Sequence, residues 1–396
     1  MKIRRHSTVL ITIAAAVLLT TSGCSGGLLG GDSGGGGGSE GGGGDGGPIK
    51  LAMVIPISGS SAPTGEYMQN GAQLAVDEIN DDGGVLDGRK LELVVGDEAC
   101  DAQQAVASAN KAVSGGVVVS VGGYCSGATL PQLPIFEKAG IPMIIPAANS
   151  QDLVNQKLKN VFLINGTGKQ QSAAALDFIK KQGFATVALV DDNTSYSKDI
   201  NVETAKQIGE DGSATVALST SVTAGESDYS AVVRDIMNAN PELVYWTGYY
   251  QEGGLIINQL KKAGFTGQIM VADGSVDPSL SEIAGAGAEG VFATMTQTPD
   301  TIEGAEDWIA DYEEAFGSAP GPYSTQSYDA VRLAAEAIDE AGSTDGDKII
   351  EALEGIDGFE MFSGPLKFTP EHTLSSGGFV ILTIKDGKFV LEDALS

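Results

Sequence analysis

Histidine is nearly absent from this 396-residue chain, with His6 and His372 the only two. That scarcity weakens every mechanism built on a histidine base and every metal centre built on clustered imidazoles. Cysteine is sparse as well, confined to Cys24, Cys100 and Cys125. Basic residues are outnumbered 23 to 52 by acidic ones, for a formal net charge of -29. So acidic a chain is a poor partner for nucleic acid or for an anionic membrane surface. The acids are spread along the chain and form no tail, which suits a role in solubility. No apolar run reaches the roughly 20 residues that a membrane-spanning helix requires. Catalytic signatures are missing too: there is no G-x-S-x-G elbow and no H-E-x-x-H pair. Gly166-Thr167-Gly168-Lys169 hints at a phosphate loop, but Gln170 stands where that loop needs Ser or Thr. Asp81-Asp82-Gly83-Gly84 lacks the spacing of a calcium loop and reads as a helix-ending turn.

What is present begins with an address. Lys2, Arg4 and Arg5 precede a short apolar stretch from Val9 to Leu19, and small residues follow. This is the layout of a secretory signal over residues 1–23. Thr21-Ser22-Gly23-Cys24 resembles a bacterial lipobox, which makes Cys24 the expected site of lipidation and the new N-terminus. Removing the leader takes the net charge to about -32, since its three basic residues leave with it. Residues 24–47 are almost wholly glycine, serine and acid. They have no apolar mass to bury and read as a flexible tether. Cys100 and Cys125 remain, in an exported chain whose compartment favours pairing.

From Ile49 the pattern changes to apolar runs alternating with helical periodicity. Lys50–Ile55 reads as a buried strand, and Ala72, Ala75, Val76 and Ile79 share one helix face. Strands are expected near 91–95, 117–121, 142–145, 161–164, 185–190, 214–218, 243–246 and 268–271, with helices between most of them. The C-terminal part reads as helical to about Leu353, then as short strands near 364–368, 379–384 and 389–391. Roughly 350 residues are too many for one ordinary core, so two domains are expected. The alternation implies an α/β fold with parallel sheets and right-handed crossovers. In such sheets ligands bind beyond the carboxyl ends of the strands. Those ends carry Ser58–Gly65, Gly122–Gly127, Pro146–Ser150, Asp191–Tyr196, Thr247–Tyr250 and Ala272–Gly274. Hydroxyls, small residues, aromatics and one acid recur there, the usual lining of a small-molecule pocket.

From Ile49 onward the chain resembles the leucine/isoleucine/valine-binding proteins, extracytoplasmic receptors of branched-chain amino acid ABC importers. The likeness lies in Pro56-Ile57-Ser58-Gly59, Asn70-Gly71-Ala72, Glu98-Ala99-Cys100-Asp101, Cys125-Ser126, Thr223-Ala224-Gly225-Glu226, Gly248-Tyr249-Tyr250, Ile283-Ala284-Gly285, Gly321-Pro322-Tyr323 and Gly364-Pro365-Leu366. The resemblance implies two Rossmann-like lobes of the type I periplasmic binding protein fold, joined by three crossovers. Residues 48–167 with 296–375 would form one lobe, and 168–295 with 376–396 the other. It implies a disulfide between Cys100 and Cys125. It places Ser126 and Asn149 on a ligand carboxylate, the Ala147 carbonyl and the Asp273 carboxylate on its ammonium, and Tyr196, Tyr249 and Tyr323 around its side chain. Thr64 stands where the family often has an aromatic residue. Asp273 replaces the more usual glutamate, and Asn149 a threonine; together with Thr64 these leave room for a different or more polar side chain. No metal, cofactor or catalysis is implied. The expected partners are an amino acid, a permease, and the membrane through the Cys24 lipid, with the protein a monomer. A sensor that binds an amino acid or amide without transport is the alternative role.

Overall fold

The computed structural model describes residues 46–393, so the leader, Cys24 and nearly all of the tether lie outside the described residues. Among the described residues no helix is long and apolar enough to cross a membrane. Two sheets organise the chain. The first holds β1 (Ile49–Ile55), β2 (Leu91–Asp97), β3 (Val119–Ser120), β4 (Met143–Ile145) and β5 (Val161–Leu163), all parallel in the order β2-β1-β3-β4-β5. The second holds β6 (Thr186–Asp191), β7 (Thr215–Ser221), β8 (Leu243–Trp246), β9 (Gln268–Val271) and β10 (Phe292–Thr296). A separate pair, β11 (Glu360–Met361) and β12 (Gly364–Pro365), precedes β13 (Phe379–Lys385) and β14 (Lys388–Asp393). The last two join the second sheet, whose order is β14-β13-β10-β9-β8-β6-β7.

The central strands are apolar throughout because helices cover both faces. In β1 every residue but Lys50 is buried, and β8 is buried over its whole length. Edge strand β7 alternates between exposed and half-buried residues. Each aliphatic side chain taken fully from water contributes about 1.5–3 kcal/mol.

Helix Ala62–Asp81 packs its Met68, Ala72, Ala75 and Val76 face against the sheet and against helix Ser324–Ala341. The two helices approach so closely that a Cβ on Gly71 would sit 2.1 Å from the Ser324 carbonyl oxygen. The chain passes between the neighbourhoods of the two sheets three times. After β5 it enters helix Gly168–Gln182, which packs on helix Ser195–Asp211, β10 and β13. After β10 it returns to helices Glu306–Phe316 and Ser324–Ala341 beside Ala62–Asp81. Finally it re-enters the second sheet at β13.

Three local expectations change. The second sheet is not wholly parallel, because β13 runs antiparallel to both β10 and β14. Only Asp386 and Gly387 separate β13 from β14, and both have positive φ (52° and 76°). A two-residue link with two left-handed residues makes an antiparallel hairpin and nothing else. Strand β10, absent from the expected series, carries Thr294 and Thr296 among its apolar residues, which dilutes the signal. The expected strand near 364–368 shortens to Gly364–Pro365, paired with Glu360–Met361.

Candidate functional site

Asp273 follows β9 in a single 3-10 turn and is 2% exposed. Four neutral donors hold its carboxylate. Oδ1 accepts from the Tyr196 hydroxyl at 2.5 Å and from Gln171 Nε2 at 2.8 Å. Oδ2 accepts from the Tyr323 hydroxyl at 2.7 Å and from Asn149 Nδ2 at 3.3 Å. Burial pushes this carboxyl above its ordinary range, and the hydrogen bonds from Tyr196, Tyr323 and Gln171 pull it back. Burial and the Asp273 charge in turn push the Tyr196 and Tyr323 phenols far up, which keeps both as donors.

Each donor arrives from a different segment. Tyr196 opens helix Ser195–Asp211 behind the N-cap Thr194, and its oxygen also accepts from the Gly274 backbone N–H at 2.7 Å. Tyr323 caps helix Ser324–Ala341 with φ 65°, a left-handed conformation unusual for an aromatic residue. Such backbone costs on the order of 1–3 kcal/mol and is retained where the surroundings over-determine it. Gly321, two residues earlier, leaves space for Tyr67, whose ring would lie 2.5 Å from a Cβ there. Asn149 lies in the loop after β4.

The remaining candidates adjoin this centre. The Ser126 hydroxyl accepts from the backbone N–H groups of Asn149 and Ser150, each at 3.3 Å. The Ala147 carbonyl accepts from Asn165 Nδ2 at 2.8 Å, leaving its second lone pair. The Tyr249 ring lies 5.1 Å from that of Tyr196 and 6.0 Å from that of Tyr124. Tyr124 packs edge-on against Tyr323 at 5.7 Å, and Thr64 neighbours its phenol. Thr64, Ser126, Ala147, Asn149, Tyr196, Tyr249, Asp273 and Tyr323 thus form one contiguous set contributed by both sheets. The amide donors of Asn149 are engaged by Asp273 and by Gln171 Oε1, the latter at 3.0 Å. Its buried Oδ1 has no hydrogen-bond partner.

Sequence reasoning missed two groups. Gln171 is one turn inside helix Gly168–Gln182, away from any strand end. A signal existed: it shares a helix stripe with Ala174, Ala175 and Phe178, so a polar side chain falls on the buried face. The second is Glu98, 0% exposed beyond β2, which accepts from the Cys125 N–H at 3.3 Å and from Gln132 Nε2 at 2.9 Å. Burial pushes its carboxyl up to about 8. Cys125 is disulfide-bonded to Cys100. The Gly166–Gln170 segment is a helix start: Thr167 and Gln170 form a reciprocal capping box.

Residues 48–388 match the periplasmic binding protein family. The chain is 33% identical over 334 residues to the leucine-, isoleucine-, valine-, threonine- and alanine-binding protein of Pseudomonas aeruginosa, covering 84% of this chain and 89% of that protein. It is 33% identical over 336 residues to the leucine-specific-binding protein of Salmonella typhimurium, covering 84% and 89%. Among solved structures, the leucine-binding protein LivK of Thermotoga maritima superposes with a TM-score of 0.81 at 29% identity, covering 87% of this chain and 97% of that one. LivJ of Streptococcus pneumoniae, in complex with isoleucine, gives 0.80 at 27% identity, covering 88% and 99%.

Proposed function

This chain belongs to the periplasmic binding protein family, and on that premise we propose that it is the extracytoplasmic receptor of an ABC importer for an L-amino acid, branched-chain or related. The observation that carries the reading is Asp273: a buried carboxylate whose four donors are all neutral. A buried charge without a counter-charge is costly, and an α-ammonium group supplies the missing positive charge. Ser126 and the Asn149–Ser150 backbone would take the ligand carboxylate, with the Ala147 carbonyl as a second acceptor for the ammonium. Tyr249 and Thr64 would border the side chain with Tyr124, while Tyr196 and Tyr323, expected around it as well, turn their hydroxyls to Asp273. Thr64 in place of an aromatic wall favours a tolerant pocket, in keeping with the Pseudomonas relative whose name spans leucine to alanine.

Binding is reversible capture without catalysis. Residues 48–167 with 296–375, and 168–295 with 376–396, would act as lobes that close on the ligand by hinge motion. The closed form would be presented to a permease by a monomer held to the membrane through lipid on Cys24. Calorimetry with L-leucine, L-isoleucine, L-valine, L-threonine and L-alanine tests the ligand class. Asp273→Asn should weaken the bound amino acid by about 1.5–3 kcal/mol, some ten- to a hundredfold. Unchanged affinity in that variant would place the ammonium elsewhere.

A further inference from the structure

We infer that Gln171 is a positioning residue for ligand recognition, holding Asp273 and Asn149 in register across the two sheets. The inference rests on reading Asp273 as the ammonium site. Gln171 is 0% exposed. Its Nε2 donates to Asp273 Oδ1 at 2.8 Å and to Thr294 Oγ1 at 2.9 Å. Its Oε1 accepts from Asn149 Nδ2 at 3.0 Å. Because Asn149 Nδ2 also reaches Asp273 Oδ2 at 3.3 Å, the three side chains close a triangle. One corner follows β4 of the first sheet, one follows β9 of the second, and Gln171 comes from the helix after the first crossing between them.

The chemistry of the carboxamide fixes its orientation. Two N–H groups at one end meet two acceptors, and the carbonyl at the other end meets a donor. Turning the amide over would set its oxygen against the Asp273 carboxylate and its N–H groups against the Asn149 amide, two like-with-like contacts. Thr294 is fixed in turn, since its Oγ1 lies 2.9 Å from the Tyr245 hydroxyl. A buried line therefore runs from Tyr245 through Thr294 and Gln171 to the acid. Neither a glutamate, which loses both N–H donors, nor a methionine, which keeps the shape alone, reproduces it. A buried polar group that is fully hydrogen-bonded rigidifies what it touches. Here that is the angle of the Asp273 carboxylate relative to the carboxylate-holding loop at Ser126 and Asn149. The distance between ammonium and carboxylate in an α-amino acid is itself fixed, so this register decides whether both ends can be held at once.

The test uses Gln171→Met in the full-length protein, with calorimetric titration of L-leucine and of 4-methylpentanoate, the same skeleton without the amino group. L-leucine should weaken about tenfold or more, while 4-methylpentanoate stays within about twofold of its own wild-type value. Adding Gln171→Met to Asp273→Asn should cost L-leucine little beyond Asp273→Asn alone, because the two act through one contact. Equal loss for both ligands, or full additivity with Asp273→Asn, would show a structural role and overturn the inference. So would unchanged L-leucine affinity in Gln171→Met. Failure of Asp273→Asn alone to weaken L-leucine would overturn the ammonium reading separately, whatever Gln171→Met does. A thermal unfolding midpoint close to wild type establishes that Gln171→Met folds.

Discussion

Glu98→Gln should change how stability depends on pH. The carboxyl is fully buried, and burial is the largest influence on it; hydrogen bonds from the Cys125 N–H and Gln132 oppose the shift, and the nearby Asp97 charge adds to it. Its value rises from 4.5 to about 8. In the folded state Glu98 therefore holds a proton that the unfolded chain releases at lower pH. Stability associated with this group is fully present below 4.5 and declines as pH rises to about 8. Between pH 5 and pH 8 the loss comes to about 3–4 kcal/mol, taking 1.36 kcal/mol per unit over the part of that range in which only the unfolded chain has released the proton. Glutamine keeps the shape and cannot ionise, so the variant should lose that slope. Urea unfolding of both proteins at pH 5, 6, 7 and 8 gives the comparison. The other carboxyls that burial pushes upward, Asp192, Asp199 (to about 6), Asp273 and Asp329 (to about 7), are common to both proteins and cancel in the difference. Parallel stability curves for wild type and Glu98→Gln would refute the reasoning, because they would mean that Glu98 titrates as an ordinary carboxylate.

Two further outcomes follow from packing and cross-linking. Gly71→Ala drives a methyl into the Ser324 carbonyl, 2.1 Å away, and should destabilise by about 1–3 kcal/mol or more through forced separation of the two helices; a thermal midpoint equal to wild type would contradict the close approach. Replacing Cys100 and Cys125 by serine opens a loop of sequence separation 25 and should lower unfolding free energy by about 3.5 kcal/mol in the chain-entropy treatment, measured by urea titration against the oxidised parent.

Much of the candidate site was legible in the chain because of where α/β sheets place their ligands. Asn149, Tyr196, Tyr249 and Asp273 each lie in a loop after an apolar run that could be read as a strand, which made those loops candidates; the choice of these residues within the loops came from the family resemblance. Gln171 escaped this logic by lying within a helix, where a buried amide looks like any polar residue until its partners are known. Glu98 escaped it for another reason: nothing in Glu98-Ala99-Cys100 says that the acid is fully buried, and its shift is produced by that burial. The individual strengths of the Asp273 contacts were likewise invisible, since its donors are separated from it by between 50 and 124 residues.

The sequence by itself determined the alternation of strands and helices, the strand-end loops that carry the polar and aromatic side chains, and the scarcity of histidine that weakens mechanisms built on a histidine base or on clustered imidazoles. These are local properties, set by periodicity and residue chemistry over a few turns. That helix Ser324–Ala341 returns to Ala62–Asp81 was implied by the family resemblance and by no local pattern; only the tertiary structure decided that β13 and β14 run antiparallel in the second sheet and that Gln171 links Asn149 to Asp273. Those outcomes depend on which distant apolar faces and buried polar groups satisfy one another, and no window of sequence contains both partners.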